Sequence, residues 1–248
     1  MNIVLRKILV ISAVAFALAA PALQAILGFG LSPSEFADQG DSTLRAASYG
    51  FSIWSVIYAG FVAYAVYQAL PRNDGSPLIA NLALPSIIAI AGCGAWILAS
   101  AFDARWLSVA IISVSAGSLT WGLAKAHRRA DPASMGERLF VWWPMGLLAG
   151  WLTIATALNV LTVMTAEGLL TDLPKAAAFG GVVAVLIAAL AVLRATHLGA
   201  YGVPIAWGLI AVWVGERATK GDVAALALGA GVLVGAYAAW QLRPRGAS

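Results

Sequence analysis

Residues 176–193 read AAAFGGVVAVLIAALAVL, eighteen consecutive residues without a charged side chain. An α-helix rises about 1.5 Å per residue, so roughly 20 apolar residues cross the hydrocarbon core of a bilayer. The whole chain shares this character, since 61% of its 248 residues are hydrophobic and only 10% are charged. A soluble domain carries about 25% charged residues. The composition therefore predicts an integral membrane protein and excludes a cytosolic enzyme, a nucleic-acid-binding protein and a disordered tail.

Eight charge-free runs near this length predict an all-α, polytopic transmembrane helix bundle of about eight spans. The predicted spans are 8–27, 51–70, 79–101, 106–124, 139–164, 176–193, 199–215 and 223–242. The first run, preceded by Arg6 and Lys7, also resembles a secretory signal peptide. Because the apolar run continues through Ile26 and Leu27, beyond any plausible cleavage site, we expect a retained helix. Cleavage would leave seven spans.

The distribution of basic residues predicts the orientation of the bundle. Alternating loops place ten of the fifteen Lys and Arg residues on the amino-terminal side. These ten are Arg6, Lys7, Arg72, Lys125, Arg128, Arg129, Arg138, Arg194, Arg243 and Arg245. Cytoplasmic loops are enriched in basic residues, so both termini are expected in the cytoplasm. The long loop 28–50 then lies on the opposite side, either as a lid over a pocket or as a plain solvated connection.

Small residues at four-residue spacing let helix backbones approach closely in lipid. One such stripe in the last span consists of Ala227, Gly231, Gly235 and Ala239, and the fifth span contains the shorter pair Gly146 and Gly150. Packing within one chain is the more frequent use of such a stripe, and a homodimer interface is the alternative.

The predicted spans lack the ionisable groups from which proton relays and ion-coupling sites are built. No acid-base pair, metal-ligand set or phosphate loop is visible, so an enzyme is the least favoured class. The one amide at bilayer depth is Asn159, which must either hydrogen-bond a neighbouring helix or face a pocket, because an unpartnered carboxamide in hydrocarbon is costly. Six indoles lie deeper than membrane anchoring requires, and each buried N–H needs a partner.

Two stretches resemble the translocator-protein family (TspO/MBR, tryptophan-rich sensory proteins). Residues 144–159, PMGLLAGWLTIATALN, are similar to the family's fifth helix, with Trp151 followed by Thr153, Ala155 and Asn159. Residues 49–58, YGFSIWSVIY, are similar to its second helix, with Trp54 and then Tyr58. Trp96 matches a tryptophan of the family's third helix.

The resemblance covers about residues 1–165 and implies two parts. Residues 1–165 would form a TspO-like five-helix membrane core, and 166–248 would add three transmembrane helices packed on it. The family's proline-rich stretch before the second helix is missing, and Cys93 stands where the family has Asn. The chain thus resembles an enlarged bacterial relative, which implies a bacterial inner membrane.

The resemblance implies a ligand-binding pocket between the helices. The ligand would be a planar hydrophobic molecule such as a porphyrin or haem, bound for sensing, transport or tetrapyrrole handling. The expected lining residues are Trp54, Tyr58, Trp96, Pro144, Trp151, Ala155 and Asn159. On a helix, Pro144, Trp151, Ala155 and Asn159 fall within a sector of about 100°. Core packing explains the same pattern, and a facilitative transporter of a small neutral or amphipathic solute is the alternative function.

Overall fold

The computed structural model describes residues 1–129 and 133–243, and the regular secondary structure in these ranges is helical. Arg245, one of the ten basic residues counted above, lies outside them. The helices are α1 (Ile3–Leu27), α2 (Pro33–Asp38), α3 (Ile53–Ala69), α4 (Pro77–Ala101), α5 (Arg105–Arg129), α6 (Met135–Glu137), α7 (Trp143–Ala166), α8 (Pro174–Thr196), α9 (Gly199–Glu216) and α10 (Gly221–Leu242). Shorter 3₁₀ turns at Ser48–Ser52 and Pro71–Asn73 precede α3 and α4, and a π-helical turn at Arg138–Trp142 leads into α7.

Five long helices close into a ring. Helix α1 packs on α3 and α4, α4 packs on α5, α5 packs on α7, and α7 returns to α3. Of the remaining three long helices, α8 and α9 pack on the outside of α7, and α10 packs on α9 and α8. The first helix is therefore an integral member of the bundle. Helix α7 is the element that the ring and the three C-terminal helices share.

The helix ends form two separate sets. At one end, Lys7 binds Asp74 across 2.6 Å, and the rings of His127 and His197 lie 5.9 Å apart. At the other end, which we call the lid end, Gln39 donates to Asp103 at 3.1 Å. Successive long helices thus alternate in direction through the bundle, and α9 runs between the same two ends as its neighbours.

The structure confirms the all-α polytopic bundle and shows a chain that crosses the membrane several times. Within the described ranges, seven helices are long and apolar enough to cross a membrane. The seventh predicted span, 199–215, forms α9, which is not one of these seven. Twelve of its eighteen residues are buried, including Tyr201, Ile205 and Glu216. A helix surrounded by other helices does not need a lipid-soluble surface, which explains its lower apolarity.

The small-residue stripes pack inside the chain, chiefly against α9. A Cβ at Gly150 would collide with the carbonyl oxygen of Tyr201, so α7 and α9 touch at their backbones. Gly231 on α10 faces Leu209, and a Cβ there would lie 3.3 Å from the Leu209 Cβ. The stripe that raised the alternative of a homodimer is therefore largely used by an intrachain contact, and a homodimer stays a prediction.

Candidate functional site

A cavity of about 500 Å³ lies between the helices at the lid end. This volume is within the range of small-molecule sites, about 300–1,000 Å³. Its walls come from α3, α4, α5 and α7 of the ring, from segment 28–50 and from α9. The cavity is therefore not confined to the five-helix ring, because one of the three C-terminal helices forms part of its wall.

Indole rings form the most distinctive part of the wall. Trp54 and Trp151 both line the cavity and meet edge to face, with ring centroids 6.1 Å apart at an interplanar angle of 82°. Trp151 is 6% exposed, and its Nε1 has no hydrogen-bond partner among the described residues. An unpaired buried N–H costs free energy, and because protein atoms enclose this nitrogen, an occupant of the cavity reaches it only if the indole ring shifts.

Asn159 joins three helices beside these rings. Its Oδ1 accepts a hydrogen bond from Trp96 Nε1 at 3.2 Å, and its Nδ2 donates to Ser108 Oγ at 3.0 Å. Asn159 is also one of the residues that line the cavity. Both sequence-based alternatives for this amide therefore hold together: it links α4, α5 and α7, and it faces a pocket.

Five of the seven expected site residues line the cavity. These five are Trp54, Trp96, Trp151, Ala155 and Asn159. Tyr58 is not a lining residue and stacks on Trp54, with ring centroids 5.2 Å apart. Pro144 shares the helical face of Trp151 but lies seven residues earlier, about 10 Å further from the lid end. It packs instead against Gly60 of α3. That any of these residues binds a ligand stays a prediction.

Segment 28–50, which we call the lid, covers the lid end of the cavity. Phe36 on α2 is 1% exposed and meets the ring of Trp96 edge to face at 6.1 Å. Further lid residues, among them Leu44 and Ala47, line the cavity. Of the two interpretations of this loop, the structure favours a lid over a plain solvated connection.

The charged residues of the lining all belong to the lid. They are Asp38, Asp41 and Arg45, so the part of the cavity between α3, α4, α5 and α7 is uncharged. Burial is the main cause that raises the pKa of Asp41 above its ordinary value, and the nearby carboxylate of Asp38 adds to the rise. The site therefore combines an uncharged, indole-rich interior with a charged entrance.

Helix α9 supplies lining residues that the sequence-based prediction missed. They are Gly208, Ala211, Val214 and Gly215. The spacing of the three small residues, at positions 208, 211 and 215, places them on one face of α9. This spacing is the signal that could have identified α9 as a close-packed wall, although small residues alone do not distinguish a cavity wall from a helix contact.

The cavity lining includes aromatic, hydroxyl, amide and thiol groups. Within the described parts of the chain, no three His, Cys, Asp or Glu side chains lie close enough together to hold a metal ion. The side chain of His197 is exposed and lies beside His127 at the end opposite the lid. The lining offers indole rings, hydroxyl groups, the Asn159 amide and the Cys93 thiol.

The arrangement can be compared with known proteins. Neither a search of curated proteins nor a search of solved structures finds a match. A family model described as TSPO-like protein matches residues 7–240, which extends the likeness from the five-helix ring through α8, α9 and α10. The chain is therefore a member of the TSPO-like protein family.

Proposed function

We propose that this membrane protein binds a planar hydrophobic molecule of the porphyrin class in the cavity under the lid. The observation that carries the proposal is the pair of indoles, Trp54 and Trp151, in the wall of a 500 Å³ cavity whose interior is uncharged. Aromatic faces stack on flat rings, so these two indoles suit a planar ligand. Binding would serve sensing, transport or tetrapyrrole handling.

The experiment is a titration of the purified chain with protoporphyrin IX, followed by quenching of tryptophan emission and by the Soret absorption. Trp151→Leu is compared with Trp240→Leu, since Trp240 is 56% exposed on α10 and is not a lining residue. We expect Trp151→Leu to lose about 0.5–1.5 kcal/mol of binding beyond its buried area. Trp240→Leu should keep the affinity of the parent. Equal affinities in both variants, or no binding above detergent background, would contradict the proposal.

The second candidate is a facilitative transporter of a small neutral or amphipathic solute. Pro85 and Pro204 lie inside α4 and α9, where proline removes a backbone hydrogen bond and permits bending. Uptake of a neutral solute into proteoliposomes without an ion gradient would favour this function over ligand binding alone.

The orientation is also proposed. The ten-to-five bias of basic residues supports cytoplasmic termini in a bacterial inner membrane, with the lid on the opposite side. A cysteine introduced at Arg72 in a Cys93→Ser background should react with an impermeant thiol reagent only after the cells are opened. Reaction in intact cells would reverse the orientation.

A further inference from the structure

The lid is bonded to α9 and to the turn before α10 through more hydrogen bonds than to the ring. The ring holds it through Leu31, whose N–H donates to Ala101 O at 2.9 Å and whose carbonyl oxygen accepts from Gln24 Nε2 of α1. Gln39 also donates to Asp103 between α4 and α5, and the hydroxyl groups of Thr43 and Thr165 lie 2.7 Å apart. Helix α9 holds it through its backbone: Ala47 N donates to Ala211 O at 2.9 Å. Charged side chains at the end of α9 add a further set of contacts.

Glu216 is the centre of these charged contacts. Its side chain is 1% exposed, and its Oε1 accepts hydrogen bonds from Arg45 N at 2.6 Å and from Lys220 Nζ at 3.2 Å. Its Oε2 accepts from Thr219 Oγ1 at 3.0 Å. A buried carboxylate is costly unless it is paired and hydrogen-bonded. The backbone N–H that completes this pairing belongs to the lid.

Lys220 binds the lid directly. Its Nζ donates to the carbonyl oxygens of Thr43 at 2.9 Å and Asp41 at 3.3 Å while it pairs with Glu216. In the opposite direction, Arg45 Nη2 of the lid donates to Gly215 O at 2.8 Å. We call Glu216 and Lys220, together with the lid residues that they bind, the clasp.

Opening the lid at this edge would separate Glu216 and Lys220 from the lid residues that they bind. Glu216 would lose the N–H of Arg45, and the Lys220 ammonium would lose two carbonyl oxygens. Both losses raise the free energy of the open state, because charged groups gain more than neutral ones from a hydrogen bond. We propose that the clasp controls access to the cavity, so that Glu216 and Lys220 are positioning residues for a binding site located mainly in the ring.

This inference extends the proposed function, because control of access matters to the protein only if the cavity takes a ligand. Its test needs no ligand. Cys93 is the single cysteine of the chain, it lines the cavity and it is 3% exposed. The rate at which N-ethylmaleimide modifies Cys93, measured by intact mass on the full chain in nanodiscs, therefore reports how often the cavity is accessible.

We expect Lys220→Met and Glu216→Gln to react at least about tenfold faster than the parent. A factor of ten corresponds to about 1.4 kcal/mol, no more than is expected for the loss of a charged hydrogen bond. Lys220→Arg keeps the positive charge and the hydrogen-bond donors, so it should react at a rate near that of the parent. The control is Lys175→Met, because Lys175 pairs with Asp222 at the same end of the bundle without touching the lid.

A second variant separates lid opening from a general loosening of the bundle. Cysteines at Thr43 and Thr165, whose hydroxyl groups are in contact, should form a disulfide that ties the lid to α7. Oxidation of this pair should return the Cys93 rate of Lys220→Met to that of the parent, and reduction should release it. The rate at Cys93 is then read from its own peptide.

The clasp is refuted if Lys220→Met reacts no faster than Lys175→Met, or if the oxidised lid lock leaves the rate of Lys220→Met unchanged. If Glu216→Gln fails to fold, the comparison of Lys220→Met with Lys175→Met decides the test alone. The result is independent of the proposed function. Faster labelling without protoporphyrin binding supports the clasp and contradicts the ligand, and the reverse outcome contradicts only the clasp.

Discussion

Helices α8 and α9 follow each other in the chain and both pack on α7, yet they differ in mean hydropathy and in burial. Helix α8 has a mean hydropathy of 2.6 over its most apolar window, and only six of its 23 residues are buried. Helix α9 is not among the helices apolar enough to cross a membrane by this measure, and twelve of its eighteen residues are buried. The helix with the higher mean hydropathy is thus the one that faces outward.

The difference in mean hydropathy comes from a few side chains, because both helices are rich in Gly, Ala, Val, Leu and Ile. Helix α9 contains Tyr201, Trp207, Trp213 and Glu216, whereas α8 contains no Tyr, Trp, Asp or Glu. Contact between helices in lipid depends on close packing and hydrogen bonds, so an interior helix can accommodate such side chains. In this chain the interior helix is also the one that lines the cavity and holds the lid. Function is therefore expected to be concentrated on α9 and not on α8.

The largest expected effect tests this comparison by truncating the same residue type on the two helices. Ile205 on α9 is fully buried, whereas Ile187 on α8 is 63% exposed. Ile205→Ala should destabilise the protein by about 2 kcal/mol or more, because it opens a cavity in a packed interface. Ile187→Ala should change stability by less than about 0.5 kcal/mol. Thermal unfolding in one detergent measures both, and equal losses would remove the distinction between the helices.

A second pair of substitutions is expected to change the stability of the protein in opposite directions. Gly150→Ala introduces a Cβ against the backbone of α9, and overpacking of this kind costs about 1–3 kcal/mol. At Gly180 on α8 a Cβ would meet nothing within 4 Å. Gly180→Ala should therefore gain about 0.5–1 kcal/mol of helix propensity. The same unfolding measurement applies, and a stable Gly150→Ala would show that α7 and α9 are not in backbone contact.

A third substitution compares polar contacts between helices with polar contacts inside one helix. Asn159→Leu deprives Trp96 and Ser108 of their shared partner, and such hydrogen bonds in membranes contribute about 0.6–2 kcal/mol. Ser100→Ala is the control, because the Ser100 hydroxyl donates only to Ile97 O of its own helix. Loss of stability or of ligand binding in Asn159→Leu alone is the expected result. If the two variants behave alike, the amide does not link the ring.

The smallest expected effect concerns the pH dependence of the lid. Burial and the charge of Asp38 raise the pKa of Asp41, which Arg45 partly offsets. The folded state therefore binds this proton more tightly than the unfolded state, and the stabilisation that it provides is present at low pH and is lost as pH rises through the raised pKa. Asp41→Asn should remove this loss. Unfolding between about pH 4 and pH 7 should show a flatter profile for the variant, and parallel profiles would contradict the assignment.

Composition and periodicity were sufficient to predict the bundle, the alternating direction of its helices and their approximate lengths. A lipid-facing surface can be recognised directly in the sequence. Trp54, Trp151 and Asn159 were also identifiable, since large indoles and an amide at bilayer depth are unusual there. The part of the cavity wall that α9 forms was not identifiable from the sequence. Gly208 and Ala211 have no chemistry of their own, and their role depends on which helix lies opposite.

The clasp illustrates a second limit of sequence-based prediction. Glu216 and Lys220 lie at the end of a span, where charged residues are expected on topological grounds alone. Their partners, Thr43 and Arg45, are more than 170 positions away in the sequence. Only the packing of α9 against the lid shows that these residues meet.

The most direct test is a density map of the protein with protoporphyrin IX bound. We expect planar density beneath the lid, against Trp54 and Trp151 on one side and extending toward Ala211 on the other. Density confined to the outer surface of the bundle, or to the end that carries His127 and His197, with the cavity empty, would contradict this expectation.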